Sequence, residues 1–254
     1  MTDVAIVASA FGADAIRRDG HLAWLVPAAE ALAAGFEVRQ ELFQSDAERS
    51  LDGLALLGHA IAQLGMWSVY SRPDALYRDD GALDDAALSA ALEQADALGA
   101  RFVKLQLGGF GGYADGFQIR RCMAQSRARL VVENGQLQTG GSVSQFVALF
   151  AALAHEDAAG ALGMAFDIGN WHWAGEAPLS AARALAPHVE YIHCKAVAGE
   201  GARRYAAAPE PDDPYFAELF SWLPRGAPRG IEFPFDAQSV AADARRRVAW
   251  LAAV

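Results

Sequence analysis

Four side chains with the chemistry of metal ligands each close a short apolar run in this 254-residue chain. Glu133 ends Leu130-Val131-Val132, Asp167 ends Met164-Ala165-Phe166, His193 follows Tyr191-Ile192, and Glu232 follows Gly230-Ile231. Singly, each has a plainer reading. A histidine in an apolar strand is usually a hydrogen-bonded core residue, and an aspartate before glycine is usually a turn former. Together they are harder to dismiss, because burying four ionisable groups without mutual neutralisation is costly. A shared divalent cation removes that cost. Three carboxylates and one imidazole suit Mn²⁺, Mg²⁺ or Co²⁺ better than Zn²⁺, which favours thiolates.

The ligand set also suggests a reaction. With Glu133 and Glu232 on opposite sides of the ring, a substrate chelating the metal through a hydroxyl and a carbonyl sits between them. One carboxylate takes a proton from carbon and one returns it, while the metal stabilises the enediolate. That is aldose–ketose isomerisation, or epimerisation if the proton returns on the other face. A dehydratase or lyase stays open on the same site, since an enediolate with a leaving group can eliminate. So does a non-catalytic sugar-binding barrel. Nearby, Lys195 lies two residues beyond His193 and so on the same side of its strand. It either binds substrate oxygens or compensates the carboxylates. Arg39 either pairs with Glu41 or grips a substrate carboxylate or phosphate with its planar fork. Trp171 and Trp173 are expected as pocket walls stacking on a sugar's C–H face, and Trp24, Trp67, Trp222 and Trp250 as core.

To bring four such distant residues together, the chain must be wound regularly. Apolar or uncharged runs suit buried strands at 4–8, 36–39, 66–70, 101–107, 129–133, 162–167, 189–195 and 230–233. Helical spacing or capping signals fill the intervals: 22–34, 51–64, 84–98, about 115–128, 143–154, 180–185, 215–222 and 239–252. Ser142 with Gln145 resembles a capping box. The stretch 198–214, rich in glycine, alanine and proline, reads as irregular. Eight strand–helix alternations with strands apolar on both faces predict a single (β/α)8 TIM barrel over 1–254. A doubly wound sheet is the alternative, but Ser9-Ala10-Phe11-Gly12-Ala13-Asp14 after the first strand is not a GxGxxG turn.

Bulk properties narrow the partners. The net charge of −10 and the absence of a basic patch argue against nucleic acid and anionic membranes. No apolar run of about 18 residues predicts a membrane span, and the N-terminus carries no signal-peptide pattern. Cys122 and Cys194 have no CxxC spacing, which fits a cytoplasmic protein.

On Glu133, Asp167, His193 and Glu232, ending strands five to eight, the chain resembles the xylose-isomerase-like TIM barrels, the sugar phosphate isomerase/epimerase superfamily. The resemblance covers essentially the whole chain. It implies that these four residues are the metal ligands and that Glu133 and Glu232 are the catalytic pair. It also implies a small sugar or sugar-acid substrate, phosphorylated or not, and a homodimer or homotetramer. More narrowly, Glu37–Phe43, Phe166–Trp171 and Tyr191–Ala196 resemble the branch named for an epimerase of 2-ketogluconate utilisation. One departure stands out. Ketose epimerases of this superfamily place a substrate-binding histidine three residues after the aspartate, where this chain has Asn170; His172, two further on, is a candidate substitute. The DNA-repair endonucleases of the same barrel type need three zinc ions and many histidines, and strands two and three offer none at their ends.

Overall fold

The computed structural model describes residues 1–254, the side chain of Ala202 excepted. Seven strands come in chain order: β1 (Val4–Val7), β2 (Gly35–Arg39), β3 (Trp67–Tyr77), β4 (Phe102–Gly108), β5 (Arg129–Glu133), β6 (Gly163–Asp167) and β7 (Val189–Cys194). A short antiparallel hairpin, β8 (Ala196–Ala198) and β9 (Tyr205–Ala207), follows β7. Then β10 (Arg229–Ile231) pairs in parallel with both β7 and β1 and closes the cylinder. The closed order β1-β10-β7-β6-β5-β4-β3-β2, with helices between the strands, is a (β/α)8 TIM barrel.

The strands are buried on both faces because each looks outward at helices and inward at the barrel axis. The outward residues join one large apolar cluster with the helices, from Ile6 through Leu105 to Leu251. Val69, Phe102, Val131, Ala165 and Tyr191 form a second cluster, with Trp67 packed against it. That second cluster lies one period-two step below Ser71, Lys104, Glu133, Asp167 and His193 on the same strands, so it is the apolar floor under a polar layer. Register staggers the layer around the barrel: Lys104 lies opposite Val131 and Glu133 opposite Ala165, while Asp167 lies opposite His193 and His193 opposite Gly230. Gly230 is required there, since a Cβ would stand 2.3 Å from the Tyr191 hydroxyl and 3.0 Å from His193 Cδ2.

Helix ends follow their sequence signals. Asp84 accepts a hydrogen bond from the Ala87 N–H at 2.9 Å, and Gly99 closes the same helix in the left-handed region. Ser142 caps the helix Val143–His155, and Gln145 Oε1 accepts from both the Gly140 N–H and the Ser142 hydroxyl. Elsewhere the boundaries move. The 22–34 helix is a 3-10 turn (His21–Trp24) followed by a short α-helix (Leu25–Glu30), leaving Leu22 more than half exposed. β3 runs to Tyr77, with its register shifting between Ser71 and Ala75. The stretch 198–214 contains β9, which pairs with β8 at its start. The loop after Asp167 is a helix, Ile168–Trp173. Trp222 is not core: it is 46% exposed and lies under the Arg183 guanidinium. No helix among the described residues is long and apolar enough to cross a membrane.

Candidate metal centre

β5, β6, β7 and β10 are consecutive around the barrel, and each brings one ligand to its C-terminal end. Ligand atoms of Glu133, Asp167, His193 and Glu232 all lie within 4.8 Å of one another. His193 Nδ1 is their focus: Glu133 Oε1 is 2.8 Å away, Glu232 Oε2 3.1 Å and Asp167 Oδ2 3.6 Å. Three acceptor oxygens around one ring nitrogen call for positive charge between them. Asp167 Oδ2, fully buried, has no hydrogen-bond partner. It does lie at ion-pair distance, 2.7 Å, from Lys195 Nζ. An oxygen-rich donor set with one imidazole, one oxygen of it left unbonded, fits a hard or borderline divalent cation.

Local chemistry fixes the ligands in place. Asp167 doubles as the N-cap of the helix after β6, its Oδ1 accepting from the Asn170 N–H at 2.9 Å. That leaves Oδ2 for the centre. Asn134 bridges the strand ends: its Oδ1 accepts from the Asp167 N–H (2.8 Å) and its Nδ2 donates to the Asp167 carbonyl (2.9 Å). Asn170 Nδ2 then donates to the Asn134 carbonyl at 2.8 Å. Asn170 therefore braces the turn, while still lining the adjoining cavity. Gly169 lets the Lys195 stem pass, since a Cβ would stand 2.6 Å from Lys195 Cγ.

Two sets of cations hold the carboxylates. From within the barrel, Lys104 Nζ donates to Glu133 Oε1 at 2.8 Å, and Gln106 Nε2 to Glu133 Oε2 at 2.6 Å. From the mouth, Arg39 and Lys195 donate to the two oxygens of Glu232 at 2.5 and 2.7 Å. Arg39 also pairs with Glu41. Burial raises the pKa of all three carboxyls, but the charges decide the outcome differently. Lys104 and His193 hold Glu133 well below the usual range, and Lys195, His193 and Arg39 do the same for Glu232. Burial wins at Asp167, which is raised despite Lys195.

A cavity of about 240 Å³ opens above the cluster, lined by Glu133, Glu232, Arg39, Lys195, Gln106 and Asn170, with Ser71, Arg72, Pro73 and Gln136 completing it. The aromatic candidates are distributed otherwise. Trp171 is fully buried against Phe146 and Phe166, because the helix after Asp167 turns that residue toward the core. Trp173 stays half-buried with Lys195 Nζ 5.7 Å over its ring. His172 is half-buried beside Tyr215, and its carbonyl accepts from Arg204.

Two buried charges were missing from the sequence reading. Glu37 has no exposed surface; its Oε2 meets His193 Nε2 at 2.7 Å and accepts from the Tyr191 hydroxyl at 2.9 Å. Lys104, 1% exposed, stands 3.2 Å from Glu37 Oε1. The signal was present as alternation: Glu37 is two residues before Arg39, and Lys104 two before Gln106, so each shares the inward face of a residue already placed at the mouth.

No protein-family model matches the chain, nor does any curated protein. Solved structures do resemble it. A D-psicose 3-epimerase in the presence of D-fructose superposes with a TM-score of 0.66 at 13% identity, over 98% of each chain. A xylose isomerase domain containing protein from Salmonella typhimurium gives 0.66 at 15% identity, over 100% of this chain and 98% of the other. The probable 3-DHS dehydratase involved in petrobactin synthesis from Bacillus anthracis gives 0.62 at 13%, over 98% of each chain. The chain thus shares the (β/α)8 barrel fold of these structures, with a candidate metal-binding cluster at the C-terminal ends of its strands.

Proposed function

We propose that this protein is a divalent-metal-dependent isomerase or epimerase of a small keto sugar or sugar acid. The observation that carries the reading is the meeting of Glu133, Asp167, His193 and Glu232 beneath a cavity whose wall includes both glutamates. The bound cation, Mn²⁺, Mg²⁺ or Co²⁺, supplies Lewis-acid stabilisation of negative charge beside the reacting carbon. Everything else falls to the chain. Glu133 is held ionised by Lys104 and is therefore ready to accept a proton from carbon. Returning that proton to the neighbouring carbon from Glu133 gives isomerisation. Delivery to the same carbon from Glu232 on the opposite side gives epimerisation; Glu232, held ionised by its cations, first takes that proton from solvent, and Glu133 afterwards returns its own to solvent. Arg39, Lys195 and Asn170 are the polar groups of the cavity suited to substrate hydroxyls or a carboxylate. Trp173 stands beside Lys195, whose Nζ is 5.7 Å over its ring, and His172 packs near Tyr215. A cytoplasmic homodimer or homotetramer completes the reading, in keeping with two free cysteines. The resemblance to the 2-ketogluconate branch makes a keto sugar acid the first substrate to try.

A dehydratase on the same site is the second reading, supported by the fold shared with a protein named as a probable dehydratase. One experiment separates the two. Keto sugars and keto acids are incubated with the metal-loaded protein in D₂O and followed by NMR. Deuterium uptake at carbon without loss of water is the expected result; an elimination product favours the dehydratase. Glu133→Gln should abolish the exchange while keeping the fold, and full turnover in that variant would remove Glu133 as the base.

A further inference from the structure

Glu37 and Lys104 form a closed loop of contacts with two of the four ligands. His193 Nε2 meets Glu37 Oε2 at 2.7 Å, and Glu37 Oε1 faces Lys104 Nζ at 3.2 Å. Lys104 Nζ donates to Glu133 Oε1 at 2.8 Å, and the same Glu133 oxygen returns to His193 Nδ1 at 2.8 Å. All four side chains are buried. Neither Glu37 nor Lys104 lines the cavity, so neither is placed to touch substrate.

We propose that the buried Glu37–Lys104 pair is the positioning platform of the centre, fixing which nitrogen of His193 faces the cation and where Glu133 stands. An ionised carboxylate can only accept, so the ring proton shared with Glu37 belongs on Nε2. Nδ1 then carries its lone pair toward the three carboxylates, which is the tautomer a metal ligand needs. A carboxylate behind a ligating histidine also makes the imidazole a stronger donor. Glu37 Oε2 takes both the Tyr191 hydroxyl and the His193 contact, and its Oε1 has Lys104 beside it as counter-charge. Lys104 neutralises Glu37 and Glu133 together, tying the distance between one oxygen ligand and the nitrogen ligand to a single ammonium.

A stability role explains less. Buried ion pairs contribute little net stability, since desolvation offsets most of their attraction. An apolar layer like the Val69–Phe102–Tyr191 floor beneath would fill the same space. Instead, both charges contact ligand candidates: Glu37 meets His193 and Lys104 donates to Glu133.

The inference rests on the metal reading, and its test separates the two. Mn²⁺ binding to the purified full-length protein is measured by titration calorimetry for wild type, Glu37→Gln and the charge-balanced double variant Glu37→Gln/Lys104→Met. Thermal midpoints are recorded beside each titration. The expected result is a loss in Mn²⁺ affinity of roughly 10- to 100-fold in both variants, with the double variant still folded. With Zn²⁺ as a diamagnetic probe, two-bond ¹⁵N–¹H spectra should place the His193 proton on Nε2 in wild type and lose that single tautomer in Glu37→Gln. Wild-type affinity in a folded variant, with only the melting temperature lowered, would reduce the pair to a structural element and overturn the proposal. A proton on Nδ1 in the wild type would overturn it as well. If the wild type itself binds no Mn²⁺, the metal reading falls and takes this inference with it.

Discussion

Lys195 illustrates how one residue can serve two roles in sequence. Its ammonium sits 2.7 Å from Asp167 Oδ2 and 2.7 Å from Glu232 Oε2, two of the oxygens that also surround His193 Nδ1. Lys195 and a divalent cation therefore compete for the same atoms. At this range a unit charge is worth on the order of 1 to 4 kcal/mol, depending on effective dielectric. Lys195→Met is expected to bind Mn²⁺ several-fold more tightly than wild type while raising KM for substrate, a split read by calorimetry and steady-state kinetics. Weaker metal binding in that variant would make Lys195 a support of the centre and not a competitor. At this scale the sequence was most legible where a charge ended an apolar run, as at Asp167 and His193. It was least legible where a charge sat inside the run, as at Glu37 and Lys104. A strand interior reads as core unless the period-two alternation is followed inward from a known mouth residue.

At the scale of elements, the end of β2 depends on a buried histidine. His21, in the 3-10 turn before the Leu25–Glu30 helix, accepts from the Arg39 N–H through Nε2 at 3.3 Å and packs on Phe43. It is 2% exposed, and burial lowers its pKa from 6.5 to about 4. The folded protein thus holds His21 neutral at a pH where the unfolded chain has protonated it. Its contribution is fully present above about pH 6.5 and is lost as pH falls toward 4. The whole loss amounts to roughly 3 kcal/mol at 1.36 kcal/mol per pKa unit. Denaturation midpoints should fall between pH 7 and 4.5, with a shallower fall in His21→Gln, which keeps an acceptor for Arg39 N–H but cannot protonate. An identical slope in both proteins would show that His21 is not the group responsible. Elements with a local signal, such as the Asp84 cap and the Gly99 stop, were readable in advance. The helix at Ile168–Trp173 was not, because its N-cap is Asp167, a residue already read as a candidate metal ligand; that double use buries Trp171, which the sequence suggested as a pocket wall.

For the whole molecule, barrel closure turns sequence distance into proximity. The ligands come from β5, β6, β7 and β10, whose order around the cylinder is their order in the chain. Eight short, largely apolar runs alternating with helical segments made that closure readable from residue types alone. The β8–β9 hairpin was not readable, since its short Ala-rich strands have no buried face to impose a period. A crystal of the protein soaked in Mn²⁺ and measured for anomalous scattering tests the central claim most directly. One peak per chain, bonded to Glu133, Asp167, His193 Nδ1 and Glu232, is the predicted result. No peak there, or a peak bound through His193 Nε2 or at a site elsewhere on the chain, would contradict it.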